Sequence, residues 1–369
     1  MAKKVLFTSH TANFAKFNQP YMQRLREQGY IVDYASAGEE PITGANNTYT
    51  IPFARSPLAL WHHWRAYRKL KQLLRRKHYD LIHTHTPAGS VITRLAAKGL
   101  KQPPKIIYTT HGLHFYNGAP KLNWALYYPI EKYLAKTTDT IVTINREDYE
   151  RVKSKFRPGS VVQIHGVGVD LNKFFHVTKE QKLALREAHG FAAKDFLLIY
   201  VAEFNRNKDQ EFLIRNLPAL RAKIPNLQLI LLGSGKSETK LKRLVRDLGI
   251  SRQVKFPGYQ INTAPWYQMA DIVVSASQRE GLGLNLVEGM ATGLPIVARD
   301  NRGHREIVLS ANNGTLFHNA EEFQNAIYEL YRLPDRRREI GRINAKAAEK
   351  FSLQKSLAKM DEIYQQYLG

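Results

Sequence analysis

Asp271-Ile-Val-Val-Ser-Ala-Ser-Gln-Arg-Glu280-Gly-Leu-Gly-Leu-Asn-Leu-Val-Glu288-Gly-Met-Ala-Thr-Gly-Leu-Pro-Ile-Val-Ala298 reads as strand, turn, helix and strand in succession. Ile272 to Ser275 is a short run rich in β-branched residues, the composition of a strand buried on both faces of a parallel sheet. Gln278 to Gly283 is a loop. Leu284 to Thr292 then spaces its apolar residues as a helix does, and Gly293 and Pro295 stop it before the next strand, Ile296 to Ala298. Parallel strands joined through a helix are the building unit of an α/β sheet.

The same segment carries chemistry. A glycine-rich turn running into a helix start presents free backbone N–H groups and a positive helix end, a seat for an anion such as a diphosphate. Glu280 lies in the mouth of that turn, and Glu288 lies a turn or so into the helix. Carboxylates beside a phosphate seat are unfavourable unless they accept hydrogen bonds from hydroxyls. The pair therefore points to a ligand with sugars on both sides of its phosphates, as in a nucleotide sugar.

Outward from this segment, strands alternate with helical stretches along the whole chain, so the class is α/β with parallel sheets. In the first half the strands are Lys4 to Thr8, Ile31 to Ala35, Leu81 to Thr84, Ile106 to Thr110 and Thr140 to Ile144, with helices such as Gln19 to Gln28 and Leu122 to Thr137. In the second half they are Phe196 to Val201, Gln228 to Leu232, Val254 to Phe256, Ile272 to Ser275 and Ile296 to Ala298. Gln163 to Asp170 reads as the crossover. The expected organisation is two facing Rossmann-like, doubly wound domains, residues 1–168 and 169–351, with a final helix at about 352–369 returning to the first. Ligands of such sheets bind at the strand C-termini.

With 369 residues the chain is long enough for two domains that each bury a core. No apolar run approaches the length of a spanning helix, Met1-Ala-Lys-Lys enters a strand directly, and there are no cysteines for disulfides, thiolate zinc sites or cysteine nucleophiles. These features fit a cytoplasmic protein. The net charge of +23 is concentrated in the first half. Arg65 to Lys77 holds seven Lys and Arg and no acid, with Trp61, Trp64, Tyr67, Leu70 and Leu74 at spacings of three and four. Either the apolar side of this basic helix packs on the sheet and the charges are solvated, or the helix docks on anionic lipid at the inner face of the cell membrane. Nucleic acid is disfavoured by the lack of a recognition motif or interleaved stacking aromatics.

Other strand ends supply candidate site residues. Arg206 and Lys208 follow the strand ending at Val201, as a diphosphate clamp or as a plain basic loop. Gly233 in Leu-Gly-Ser-Gly is a point of close backbone approach or a simple turn, and Tyr259 follows Phe-Pro-Gly in a turn that can line a base pocket. His111 and His114 follow a first-domain strand, where His111 either bonds a sugar or phosphate or is structural. His83 and His85 point to one side of an extended strand and lack a third metal ligand nearby in sequence. His10 and Asn13, after the first strand in a loop without a dinucleotide fingerprint, are candidate acceptor contacts together with His85 and His114.

Together these residues resemble family 4 of the retaining nucleotide-sugar glycosyltransferases, enzymes of the two-domain GT-B architecture, over nearly the whole chain. The resemblance rests on Glu280, seven residues, Glu288 and the following Met-Ala-Thr-Gly-Leu-Pro-Ile-Val-Ala. It is supported by Asp80-Leu-Ile-His-Thr-His, Thr110-His-Gly, His165-Gly-Val-Gly-Val-Asp and Arg302-Gly-His-Arg-Glu306. It implies Glu280 on the transferred sugar, Glu288 on the ribose, the backbone of Gly281, Leu282, Gly283, Leu284 and Asn285 on phosphate or sugar, Lys208 on the diphosphate and His111 on donor sugar or phosphate, with UDP as the nucleotide and no metal or other cofactor. Family members commonly carry arginine five residues before that lysine; here the position is Glu203, with Arg206 as the candidate replacement. Tyr116-Asn-Gly-Ala-Pro and Leu126-Tyr-Tyr-Pro-Ile-Glu are similar to bacterial enzymes of capsular or exopolysaccharide assembly, whose acceptors are sugars on polyprenyl diphosphate. Rival readings are a UDP-sugar 2-epimerase of the same architecture and a basic membrane-surface binding module.

Overall fold

The computed structural model describes residues 2–54, 56, 58–309 and 312–369. Contacts divide the chain into two compact units, one of residues up to Val167 together with Gln354–Gly369, the other Gly168–Leu353. Unit 1 holds β1 (Lys4–Thr8), β2 (Ile31–Ser36), β3 (Asn47–Thr50), β4 (Leu81–His85), β5 (Lys105–Thr110), β6 (Thr140–Thr143) and β7 (Ser160–Gln163). Unit 2 holds β8 (Phe196–Val201), β9 (Leu227–Leu232), β10 (Val254–Gly258), β11 (Ile272–Ser275), β12 (Ile296–Arg299) and β13 (Gly314–Phe317).

The sheet orders are β3-β2-β1-β4-β5-β6-β7 and β10-β9-β8-β11-β12-β13. Every pairing is parallel. The order in which strands are added thus reverses at one place in each sheet, between β1 and β4 and between β8 and β11. At such a switch point neighbouring crossovers leave on opposite faces and open a crevice outside the strand C-termini. The central strands are nearly fully buried, as their apolar runs require.

Three strands lie outside the sequence reading: β3, β7 and β13. Each is a four-residue edge strand whose burial pattern is only partial, so none needs the continuous apolar run by which central strands announce themselves. The first long helix is also longer than expected, Ala15–Glu27, and runs through Pro20.

A larger correction concerns the basic helix, Leu60–Lys77. Its buried face is Ala66, Leu70 and Leu74, whereas Trp61 and Trp64 are 63% and 46% exposed. Trp64 stands two residues, about 200°, from Ala66 around the helix, so it cannot share the packed side. The helix is amphipathic as read, but its two tryptophans belong to the solvent side.

Candidate functional site

At the switch point of unit 2, two loops meet. The loop after β8 brings Lys208, the loop after β11 brings Glu280, and the two side chains form an ion pair, 23% and 13% exposed. The loops are tied by backbone and side-chain bonds: Gln278 N–H donates to Asn207 O at 2.8 Å, and Asn207 Nδ2 donates to Arg279 O at 3.0 Å. Tyr200, from β8, donates its hydroxyl to Lys208 O at 2.9 Å and meets Ser277 Oγ at 2.7 Å. Directly after Lys208 the chain turns through Asp209, a non-glycine residue in the left-handed region at φ 50°, held by Arg299 at 3.0 Å. Such a conformation costs on the order of 1–3 kcal/mol and persists where surrounding bonds over-determine it.

Burial alone would raise the Glu280 carboxyl, yet the ammonium of Lys208, which also donates a hydrogen bond to it, holds it below its ordinary value. The Glu280 carboxyl is therefore ionised at neutral pH. Beyond Glu280 the chain reaches the helix Leu284–Ala291 through Gly283 at φ +106°, where a Cβ would lie 3.1 Å from the His304 ring. Only glycine both adopts that conformation cheaply and leaves the ring its place. Gly281 to Asn285 thus present a helix start beside the ion pair. Glu288, within this helix, raises the already burial-shifted hydroxyl of Tyr267 further.

His304 was quoted in the sequence only as part of a supporting loop, and its part in the site was missed. Its Nδ1 lies 2.6 Å from Arg299 O. Asn301 Nδ2 also lies 3.0 Å from that nitrogen, but the shorter contact is to a carbonyl, which only accepts, so the proton is assigned to Nδ1 and the lone pair to Nε2. That Nε2 is buried without a partner, as is Asn285 Nδ2. Burial lowers the His304 pKa despite the pull of Glu280, leaving a neutral ring whose free nitrogen is an acceptor. Asn301, a cap side chain accepting from Gly303 N and His304 N at 3.0 Å each, was the sequence signal for this turn.

Arg206 and Glu203 are both exposed on the β8 loop, and Tyr259 is exposed after β10. Gly233 has a structural reason of its own, since at φ +140° a Cβ would stand 2.2 Å from Ala202 O.

At the switch point of unit 1, His85 Nδ1 and His111 Nε2 lie 3.1 Å apart. Burial lowers His111 to about 4 and takes His85 well below its ordinary value, with smaller contributions at His85 from the neighbouring imidazoles. Both rings are neutral, so one proton lies between the two facing nitrogens. Phe14, missed in the sequence, sets its ring edge-on to His111 at 4.6 Å. His83 turns instead to Tyr364 and Thr109, 2.7 Å from each. His10 donates its backbone N–H to Thr86 Oγ1 at 3.1 Å, Asn13 is exposed, and His114 packs on Tyr127 at 4.8 Å. Among the described residues no three His, Cys, Asp or Glu side chains group as metal ligands, and no helix is long and apolar enough to cross a membrane.

Comparison with known proteins gives these geometries a context. The family profile "Glycosyl transferases group 1" matches residues 181–347, and "Glycosyl transferase 4-like" matches residues 4–145. EpsD of Bacillus subtilis (strain 168), a provisionally assigned glycosyltransferase, is 40% identical over 100% of this chain and 98% of its own. The UDP-Gal:alpha-D-GlcNAc-diphosphoundecaprenol alpha-1,3-galactosyltransferase of Escherichia coli is 22% identical over 83% of this chain and 78% of its own. Among solved structures, Anabaena Alr3699/HepE in complex with UDP-glucose aligns with a TM-score of 0.79 at 19% identity, covering 98% of this chain and 99% of that one. At that identity the likeness speaks for the fold, two Rossmann-like domains of GT-B type.

Proposed function

The chain belongs to the group 1 glycosyl transferases, and from that premise we propose that it moves a sugar from a UDP-sugar to a glycan acceptor carried on polyprenyl diphosphate, with retention at the anomeric carbon, in capsular or exopolysaccharide assembly. The observation that carries this reading is the Lys208–Glu280 pair set against the helix start at Gly283. The helix start suits a diphosphate, Lys208 supplies the cation that stabilises charge on the leaving phosphate, and Glu280 and His304 supply acceptors for sugar hydroxyls. The donor and lipid-linked acceptor follow the named activity of the Escherichia coli relative and the UDP-glucose held by the Anabaena protein.

In the proposed step the acceptor hydroxyl oxygen bonds to the anomeric carbon on the face from which the phosphate departs. The carbon–oxygen bond to the β-phosphate breaks, its electron pair goes to the leaving UDP, and the hydroxyl proton passes to a phosphate oxygen. Lys208 and the backbone N–H groups of Gly281 to Asn285 meet the charge, so the reaction is read as metal-independent. His111 is assigned to the donor sugar or phosphate by family resemblance.

A thermal-shift panel of UDP-, GDP- and ADP-sugars run in excess chelator tests the donor and metal readings together. A ligand that binds only the folded chain raises the melting midpoint in step with its affinity. UDP-sugars are expected to give saturable stabilisation; a shift that disappears with chelator and returns with a divalent ion would overturn metal independence, and a flat response to all three classes would remove the donor assignment.

His304 gives a second test. Loss of one neutral acceptor for a sugar hydroxyl costs roughly 0.5–1.5 kcal/mol, so His304→Ala should lower kcat/KM for the donor about two- to tenfold. An unchanged value would take His304 out of sugar recognition.

A further inference from the structure

Unit 1 carries a groove of about 730 Å³ between the helix Leu60–Lys77 and the segment after edge strand β3. Arg65, Arg68, Lys69, Lys71 and Arg75 line it, and no acidic residue does. Beside it the first turn of the helix and the turn before it project apolar side chains: Leu58 is 85% exposed, Leu60 74% and Trp61 63%. Trp61 and Trp64 stack at 4.8 Å, and the Arg68 guanidinium lies 4.9 Å over the Trp64 ring. Nothing in the unit's core requires this arrangement, because the same helix anchors itself through Ala66, Leu70 and Leu74.

Exposed aromatic and aliphatic side chains next to uncompensated cations match one surface chemistry, the headgroup layer of an anionic bilayer. There apolar tips enter the acyl boundary, while lysine and arginine meet phosphates. We propose that the groove and the Leu58–Trp64 tip form a membrane-docking surface, with headgroup phosphates in the groove and the tryptophans at the interface. The proposal gives a location to the encounter with a lipid-borne acceptor and rests on the reading under Proposed function only for that purpose, since docking is measured without any transfer assay. Charge complementarity favours a bilayer over a second copy of this chain, which would set one strongly cationic groove against another.

The test uses the full chain with vesicles of phosphatidylcholine, with and without phosphatidylglycerol. The protein is expected to sediment with the anionic vesicles only, to be released by salt and to shift its tryptophan emission to the blue on binding. Each cation removed near a surface is worth about a fivefold change in partition, so the combined Arg68→Gln, Lys69→Gln, Arg75→Gln variant should bind about a hundredfold more weakly. Trp61→Ser with Trp64→Ser should lose the emission shift. Melting midpoints and UDP-sugar stabilisation are followed in parallel, and should either combined variant unfold, Trp61→Ser and Arg68→Gln singly carry the same comparison. Equal binding to both vesicle types, binding to neither, variants that bind as the parent does, or a Trp61 effect confined to self-association would each overturn the proposal. Loss of UDP-sugar stabilisation with vesicle binding intact would count against the transferase reading alone.

Discussion

Glu280→Gln is expected to lower kcat by about 10²- to 10³-fold while UDP binds at least as tightly as it does to the parent protein. In the structure Lys208 already has an anionic partner, and that partner is Glu280. A diphosphate that engages Lys208 must compete with the carboxylate, so neutralising residue 280 removes a competitor from the ground state. During transfer positive charge grows on the sugar, and a carboxylate close to it is worth most at that moment. The signature is thus a fall in kcat without a rise in the UDP dissociation constant, read by steady-state kinetics and calorimetry. A kcat within tenfold of the parent, or UDP affinity lost in proportion to kcat, would show that Glu280 supports the loop and does not act on the sugar.

Asp271→Asn is expected to cost about 3–5 kcal/mol of stability, the usual consequence of leaving buried charge without its counter-ion. The Asp271 carboxylate is held by Lys182 at 2.9 Å and Arg186 at 2.7 Å, and it accepts the Leu197 N–H at 2.9 Å. It thereby pins the helix Lys179–Ala188 to the start of β8 and β11, at the opposite ends of those strands from Glu280. Burial pushes its carboxyl up, but the two cations outweigh that and hold it below its ordinary 3.8. A carboxyl depressed on folding contributes stability in full above its unfolded value and loses it as pH falls through the folded one. The gap between parent and variant in urea denaturation should be widest at neutral pH and close below pH 3.8. A gap that survives acid, or no gap at neutral pH, would contradict the ion-pair account; UDP affinity of the folded variant should be unchanged.

The central strands and the Glu280 to Glu288 turn were legible because each follows from local sequence: β-branched runs, glycine at the required turn, an apolar period of 3.6. The edge strands β3, β7 and β13 were not, because hydrogen bonding along one side asks little of their side chains. Lys208 was legible as a cation at a strand end, but its partner was not, since 72 residues separate it from Glu280. His304 escaped for a similar reason: its significance lies in a lone pair left unused after Nδ1 is spent on Arg299 O, and no spacing rule records that. Trp61 and Trp64 satisfied the helical period and still stood outside the packed stripe, because spacings of three and four drift around a helix.

The last helix, Leu353–Leu368, has a bearing on the order in which the chain can be completed. It joins unit 1 through Ser356 to Tyr21 and Gly166 O, Tyr364 to His83, and Tyr367 to Thr140. On the ribosome, domains generally fold as their sequence emerges, but here the earlier unit lacks a helix that is synthesised after the whole of Gly168–Leu353. Unit 2 can close as an unbroken stretch, while the buried ring of His83 and the hydroxyl of Tyr21 wait for partners made last. The first unit to be translated is therefore the last to be finished, and its exposure time is set by the synthesis of the other.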